Sequence, residues 1–149
     1  MKADCPDAAM KVSSRARRFP AVPPMNHGRL IHRDVSEAII GAAMKVLNTL
    51  KPGLNEKAYE NALVLELRRR GHRVDQQRRF EVRYEGELVD TLVPDLVVDD
   101  LVIADPKVVE DFTPTHLAQM DGYLAITRLR LALLLNFKFV DLRWKRVIR

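Results

Sequence analysis

The sequence has one cysteine, no long apolar run and no glycine-rich phosphate loop, and each absence excludes a class of protein. The single cysteine, Cys5, excludes a disulfide framework and a cysteine-based zinc site within one chain, and it is compatible with a reducing cytoplasm, where we place the protein. No apolar run approaches the roughly 20 residues of a membrane helix, so we expect no membrane partner. No internal repeat is present. The 149 residues, 47% of them apolar, are enough for one globular core.

Charge and proline content divide the chain into two parts. Residues 1–33 hold seven Lys and Arg against two acids, which accounts for the whole net charge of +5. Prolines interrupt this part and no apolar period develops, so we predict a basic, disordered extension over residues 1–32. Residues 34–149 hold 18 bases and 18 acids and show regular apolar patterns. We therefore predict one folded domain over residues 33–149.

The charges of the predicted domain are segregated along the chain. Residues 68–83 hold seven arginines against two acids, residues 85–111 hold nine acids against one lysine, and residues 128–149 hold seven bases against one acid. An acidic block between basic blocks suits a metal centre flanked by nucleic-acid-binding surfaces. Two alternatives stay open. The blocks could neutralise one another within the fold, or they could pair between the subunits of a homodimer.

Residues 93–107 combine short apolar runs with three ionisable side chains, Asp95, Asp105 and Lys107. Acids and lysines are seldom buried unless they are paired or bind metal. Two carboxylates a strand apart repel each other, and a hard divalent cation such as Mg²⁺ or Mn²⁺ relieves that repulsion. Lys107 would then lie beside an activated water or a developing phosphate charge. The plainer interpretation is a structural salt bridge between Asp105 and Lys107 next to a turn.

The geometry of one turn decides whether these groups can cooperate. A three-residue loop after Val98 pairs Val98 with Val102 and places Asp95 opposite Asp105, with Lys107 on the same face of the sheet. A two-residue loop would put the two acids on opposite faces. A shared site therefore requires the odd loop or a bulge.

Two predicted helices carry further polar candidates. Asn55 is a plausible N-cap of a helix over about residues 55–70, and Glu56 lies in its first turn, where an acid also suits the helix dipole. Thr113 is the expected cap of a later helix, in which Gln119 and Tyr123 are four residues apart and share one face. The continuous apolar run over residues 131–135 predicts a strand that is buried on both faces.

The segment Gly53-x-x-Glu56-x-x-Tyr59 resembles the signature of the small prokaryotic GxxExxY protein family. Ordered matches also occur at residues 39–43, 71–74, 116–119 and 134–137, so the resemblance extends from about residue 34 to the C-terminus. It implies membership of the PD-(D/E)XK nuclease-like superfamily. The implied fold is α/β and restriction-endonuclease-like, with a mixed central β-sheet flanked by helices.

The resemblance also assigns roles. Asp95 and Asp105 resemble the two acids of the superfamily motif, Lys107 resembles its lysine, and Glu56 resembles the helix acid. The implied activity is hydrolysis of DNA by a Mg²⁺- or Mn²⁺-dependent nuclease in which Asp95, Asp105 and Glu56 hold the metal and Lys107 orients or activates water. Arginines among residues 68–83 would contact the DNA backbone and make binding salt-dependent.

Gln119-x-x-x-Tyr123 resembles the glutamine–tyrosine motif of RecB-like nucleases, which would position the lysine or a DNA phosphate. The chain departs from the superfamily pattern at two positions. Asp105 stands where relatives usually have glutamate, and Pro106 stands where the residue is usually apolar. Proline cannot donate to a sheet ladder, so it marks either a bulge or a site that has lost its geometry. The alternative function is therefore a catalytically degenerate nucleic-acid-binding or protein-interaction module with the same fold.

Overall fold

The computed structural model describes residues 31–149, so the predicted extension up to residue 30 lies outside the described residues. Three helices and seven strands form this part of the chain. In chain order they are α1 (Arg33–Leu50), α2 (Glu56–Arg69), β1 (Val74–Gln76), β2 (Phe80–Tyr84), β3 (Glu87–Leu92), β4 (Leu96–Val98), β5 (Val102–Lys107), α3 (Pro114–Thr127), β6 (Leu131–Asn136) and β7 (Arg143–Ile148).

Five of the strands form one mixed sheet in the order β1-β4-β5-β6-β7. Strands β5 and β6 are parallel, and the other neighbouring pairs are antiparallel. Helix α3 lies in the connection between the two parallel strands, as a parallel crossover requires. This arrangement confirms the predicted α/β fold with a mixed sheet flanked by helices.

Strand β6 separates two apolar cores, which explains its continuous apolar sequence. Leu131, Leu133 and Leu135 pack with helices α1 and α2 on one face, whereas Ala132 and Leu134 pack on the α3 side. Every residue of β6 is buried, as predicted for a strand covered on both faces. Strand β5 alternates in the same way, with Ile103 in the α3-side core. Asp105 and Lys107 follow at steps of two, so they face α3.

The loop between β4 and β5 has the odd length that a shared site requires. Val98 pairs with Val102, and the register continues through Leu96 and Ala104. Asp99 and Asp100 adopt left-handed backbone conformations, with φ of 53° and 62°. Aspartate tolerates this region better than most residues, which is why an acidic pair can make this turn.

The carboxylate of Asp99 fixes this turn to the segment before β1. One oxygen accepts a hydrogen bond from the Arg73 backbone N–H at 2.9 Å, and the other lies 2.7 Å from His72 Nδ1. We expect Asp99→Ala to lower the free energy of unfolding by about 2 kcal/mol, because it removes two hydrogen bonds and forces alanine into a left-handed conformation. Asp99→Asn keeps an acceptor and tolerates the backbone, so it should lose less than half as much in urea unfolding. Equal losses for the two variants would show that the hydrogen bonds contribute nothing.

Pro106 does not mark a bulge, and that part of the sequence prediction is wrong. It pairs with Leu135 in an unbroken parallel register from Val102 to Lys107. The ladder between β4 and β5 ends at Ala104, so β5 has a ladder partner on one side only at Pro106. Proline is tolerated at such edge-like positions.

Strands β2 and β3 form a hairpin with its own two-stranded sheet, separate from the central one. Most of its side chains are exposed. The hairpin begins after Gln77 and ends before Asp95, and the Gln77 backbone N–H donates a hydrogen bond to the Asp95 carbonyl at 3.0 Å. The hairpin therefore flanks the end of the sheet where Asp95 lies. Among the helices of residues 31–149, none combines the length and apolar character that crossing a membrane requires.

Candidate active site

Asp95 and Asp105 lie side by side at one end of the central sheet. Continuing the β4–β5 register by one residue from Leu96 and Ala104 places Asp95 opposite Asp105. Burial raises the pKa of Asp105 to about 7, and only 8% of its side chain is exposed. The Asp95 charge raises that pKa further, as does a hydrogen bond between the two carboxyl groups. Asp105 therefore gives up its proton less readily than an ordinary aspartate, because burial and the nearby Asp95 charge both disfavour its charged form.

Lys107 supplies the counter-charge of this pair. Its Nζ lies 3.4 Å from each carboxylate oxygen of Asp105, and its side chain is 15% exposed. That distance is long for a charge-assisted hydrogen bond. The ammonium lowers the pKa of Asp105, but burial and Asp95 outweigh it. The salt bridge with Lys107 therefore does not by itself compensate the burial and repulsion that the Asp105 carboxylate experiences.

Glu56 reaches the same end of the sheet from the first turn of α2. Burial raises its pKa, and the charges of Asp95 and Glu60 add to that rise. The Lys107 charge and a hydrogen bond from the Val108 backbone N–H act in the opposite direction. Glu56 therefore lies within the electrostatic field of the acid pair and its lysine. Glu56 was assigned to this site through the family resemblance, because its position in the first helical turn alone favours a role at the helix dipole.

Helix α3 places Gln119 and Tyr123 over the sheet face that carries Asp105. The Gln119 side-chain amide donates to the Tyr123 hydroxyl oxygen at 3.2 Å. Burial raises the pKa of Tyr123, and the charges of Asp105 and Asp95 raise it further. Tyr123 thus stays a neutral hydroxyl that can donate a hydrogen bond toward the acids, while Gln119 orients it.

His116, on the same helix, has a structural role. Its Nδ1 accepts a hydrogen bond from the Thr113 backbone N–H at 3.0 Å, and its own backbone N–H donates to Thr113 Oγ1 at 3.2 Å. The two residues form a capping box that starts α3, as the predicted Thr113 cap requires. Burial and the Lys107 charge lower the pKa of His116, which keeps the ring neutral and able to accept this bond.

Two buried polar residues near the candidate site were not identified as candidates from the sequence. Glu60 accepts hydrogen bonds from the side-chain amides of Gln76 at 2.8 Å and Gln77 at 3.1 Å. Asn136, next to Lys107 in the parallel register, is bonded to both backbone groups of Val109. The available signals were the spacing of Glu60 four residues after Glu56 and a polar residue at the end of the apolar run of β6.

The arginine-rich block over residues 68–83 is largely neutralised within the domain. Ion pairs join Arg70 to Glu66, Arg73 to Asp75, Arg78 to Asp75 and Asp100, and Arg83 to Glu81. Only Arg69 and Arg79 of this block make neither an ion pair nor a side-chain hydrogen bond within residues 31–149. The alternative in which the blocks neutralise one another thus accounts for much of this segment.

The acid pair has the chemistry of a divalent-cation site. Its donors are carboxylate oxygens, which Mg²⁺ and Mn²⁺ prefer, and a cation between them would offset the repulsion that raises the pKa of Asp105. Within residues 31–149, no three His, Cys, Asp or Glu side chains gather closely enough to enclose a metal ion. Asp95 and Asp105 would therefore be the inner ligands, and Glu56 would act from farther away, through water. Mg²⁺ is often held in this way, by one or two carboxylates and several waters.

Comparison with known proteins identifies the superfamily of the chain. A family model described as the PD-(D/E)XK nuclease superfamily matches residues 33–147, which is nearly all of the described chain. Curated proteins and solved structures gave no match. The narrower resemblance to the GxxExxY family stays a prediction. With the mixed sheet, the helices on both its faces and this match, the chain belongs to the PD-(D/E)XK nuclease superfamily.

Proposed function

We propose that the protein is a metal-dependent nuclease that hydrolyses DNA phosphodiester bonds. The observation that carries the proposal is the buried Asp105 carboxyl next to the partly exposed Asp95 and beside the Lys107 ammonium. Carboxyl groups that are held together in spite of a desolvation cost are typical of functional sites, where their combined negative charge can bind a cation. When bound, a divalent cation would supply Lewis-acid stabilisation to the phosphate under attack.

Six residues of the chain have a defined task in this proposal. Asp95 and Asp105 would hold the cation, and Glu56 would hold its water shell. Lys107 orients the attacking water and stabilises the negative charge that develops on the phosphate. Gln119 fixes the Tyr123 hydroxyl, which positions the substrate phosphate beside the lysine.

We propose that fewer arginines contact the nucleic-acid backbone than the sequence indicated for residues 68–83. Arg69 and Arg79 are exposed and free of ion pairs within residues 31–149, so they are the members of the basic block that support backbone contacts. Fewer free arginines mean fewer phosphate contacts and a shallower dependence of binding on salt. The choice of DNA over RNA and a homodimeric state stay predictions.

The second candidate is a binding module with the same fold and no catalysis. It is favoured by the 3.4 Å separation of Lys107 Nζ from Asp105 and by the lack of a three-ligand cluster in residues 31–149. In that case the protein would bind nucleic acid with a salt-sensitive affinity and leave it intact.

Cleavage of supercoiled and linear DNA with Mg²⁺ or Mn²⁺ tests the proposal. We expect the wild type to cut, EDTA to stop cleavage, and excess Mg²⁺ to restore it. Lys107→Ala should lower the rate about a hundredfold or more, because it removes both water orientation and charge stabilisation. Lys45→Ala is the matched control, since Lys45 is an exposed lysine on α1 whose partner is Glu66. Binding without cleavage in the wild type would favour the second candidate, and cleavage that survives Lys107→Ala would contradict the proposed site.

A further inference from the structure

The basic block over residues 128–149 is divided between the two ends of the central sheet. It holds seven bases and one acid, and the proposed function uses none of them. Strand β7 is antiparallel to β6, so its first residues lie beside the last residues of β6. Lys138 and Arg143 therefore lie at the end of the sheet that carries Lys107. Arg130, which immediately precedes β6, lies at the opposite end.

Lys107, Asn136 and Arg143 form one row across three neighbouring strands. Lys107 pairs with Asn136 in the parallel register of β5 and β6, and Asn136 pairs with Arg143 in the antiparallel register of β6 and β7. Directly paired residues point to the same face of a sheet. This face is the one that α3 covers, because Val147, four residues after Arg143, packs in the core on the α3 side. Two strand spacings, about 10 Å, separate the Cα atoms of Lys107 and Arg143.

The Arg143 guanidinium is held in place without the use of its hydrogen-bond donors. It stacks on the Phe139 ring, with the guanidinium carbon 4.3 Å from the ring centroid. Within residues 31–149 its side chain makes no ion pair and no hydrogen bond, so its N–H groups are not engaged there. Stacking occupies the flat face of the group, and the donors point outward in its plane. A planar cation fixed in this way is suited to a bidentate contact with a phosphate.

The loop after β6 brings a second cation to the same end of the sheet. Lys138 Nζ lies 3.5 Å from a carboxylate oxygen of Glu110, whose side chain is 80% exposed, so this ion pair contributes little to stability. The Asn136 side chain accepts a hydrogen bond from the Lys138 backbone N–H at 3.1 Å, which fixes the loop to the end of β6. Lys138 can therefore turn from Glu110 to a phosphate with a small loss of stability.

We propose that Arg143 and Lys138 bind phosphates of the nucleic-acid strand next to the phosphate at Lys107, on the side of β7. The proposal rests on the proposed function for the position of the attacked phosphate. Two cations in line with the candidate lysine fit a polyanion that crosses the strands of the sheet. Because β7 is an edge strand, a polymer chain that follows the row from Lys107 can leave the domain there.

Arg143→Gln and Arg130→Gln remove the same charge from opposite ends of the sheet, so their comparison tests the proposal. Binding of a short fluorescently labelled DNA duplex is measured by anisotropy at several salt concentrations, in EDTA so that metal-dependent cleavage does not occur. We expect Arg143→Gln to weaken binding about threefold to tenfold. It should also lower the slope of log Kd against log salt by about one, which corresponds to the loss of one phosphate contact. Arg130→Gln should leave the slope unchanged, and equal effects of the two variants would overturn the proposal.

Arg143→Lys covers the case in which Arg143→Gln disturbs the loop. It restores the cation without the planar fork, so we expect the wild-type salt slope with an affinity between those of wild type and Arg143→Gln. A slope as low as that of Arg143→Gln would mean that the arginine acts only through its stack on Phe139, and it would overturn the proposal. In cleavage assays of Arg143→Gln, KM should rise by the same factor as Kd and kcat should change little, because such a contact binds substrate and transition state equally.

The binding measurement separates this proposal from the nuclease activity, because binding in EDTA needs no catalysis. A wild type that binds DNA without cutting it would refute the nuclease activity alone. A wild type that cuts DNA, together with a wild-type salt slope in Arg143→Gln, would refute only the phosphate contacts at β7. A wild type that neither binds nor cuts DNA would refute both.

Discussion

We expect Asp105→Asn to lower the rate of DNA cleavage about a thousandfold and at the same time to make the metal-free protein more stable at pH 8. The first effect follows because an amide replaces a charged oxygen ligand. The second follows because the folded protein keeps the Asp105 carboxyl almost fully buried, and burial raises its pKa from an ordinary value of 3.8 to about 7. The two effects have opposite signs, which is typical of a residue kept for function at a cost in stability.

The pH dependence of this stability gain has a definite direction. Between about pH 4 and pH 7 the folded wild type binds a proton at Asp105 that the unfolded chain has released, so its stability falls as the pH rises through this window. Below pH 4 the Asp105 carboxyl is protonated in both the folded and the unfolded state, so its titration no longer lowers the stability of the wild type. Asp105→Asn lacks this titration, so its advantage should grow from near zero at pH 4 to about 1–3 kcal/mol at pH 8. Loss of the Lys107 partner limits the gain.

Urea unfolding at pH 4, 6 and 8 in EDTA measures this difference, because EDTA removes any cation that would mask it. Asp121→Asn is the matched control, since Asp121 is a half-exposed acid on α3 whose partner is Arg149. It should change stability by no more than about 0.5 kcal/mol and leave cleavage intact. A destabilised Asp105→Asn at pH 8 would mean that Asp105 and Lys107 form a structural salt bridge, the plainer interpretation of the sequence.

The geometry of the acid pair could be predicted from the sequence because it depends on local rules. Side chains alternate along a strand, and the length of one turn fixes the register between two neighbouring strands. The Asp99-Asp100 turn then leaves two outcomes, and only one of them brings Asp95 and Asp105 together. The start of α3 at Pro114 was equally local, because a threonine before a proline is a strong helix signal.

The features that the sequence did not predict depend on partners far away in the chain. The arginine block of residues 68–83 looked like a nucleic-acid surface, but Arg78 pairs with Asp100, 22 residues later. Glu60 is buried because Gln76 and Gln77 donate to it across 16 and 17 residues. A local pattern contains no information on which distant group will satisfy a charge. The same limit applies to Asn136.

Asn136→Ala should lower the free energy of unfolding by about 3–5 kcal/mol, the largest effect on stability that we expect from a single polar residue of this fold. Asn136 is 1% exposed, and its side chain bonds three backbone groups of two other residues. Its amide donates to the Val109 carbonyl at 2.7 Å, and its oxygen accepts from the N–H groups of Val109 at 3.2 Å and Lys138 at 3.1 Å. Alanine would leave all three without a partner, in the segment that leads from Lys107 to α3.

Two further variants, measured by urea unfolding, test this expectation. Asn48→Ala, at an exposed position on α1, should change stability by no more than about 0.5 kcal/mol. Asn136→Asp keeps an acceptor but loses the donor to Val109 and buries a charge, so its loss at pH 8 should equal or exceed that of alanine. At pH 4 the protonated carboxyl can donate again, and part of the stability should return because burial raises the pKa of an acid. A loss below about 1 kcal/mol for Asn136→Ala would show that solvent satisfies these backbone groups, and the segment before α3 would then be held by its apolar side chains alone.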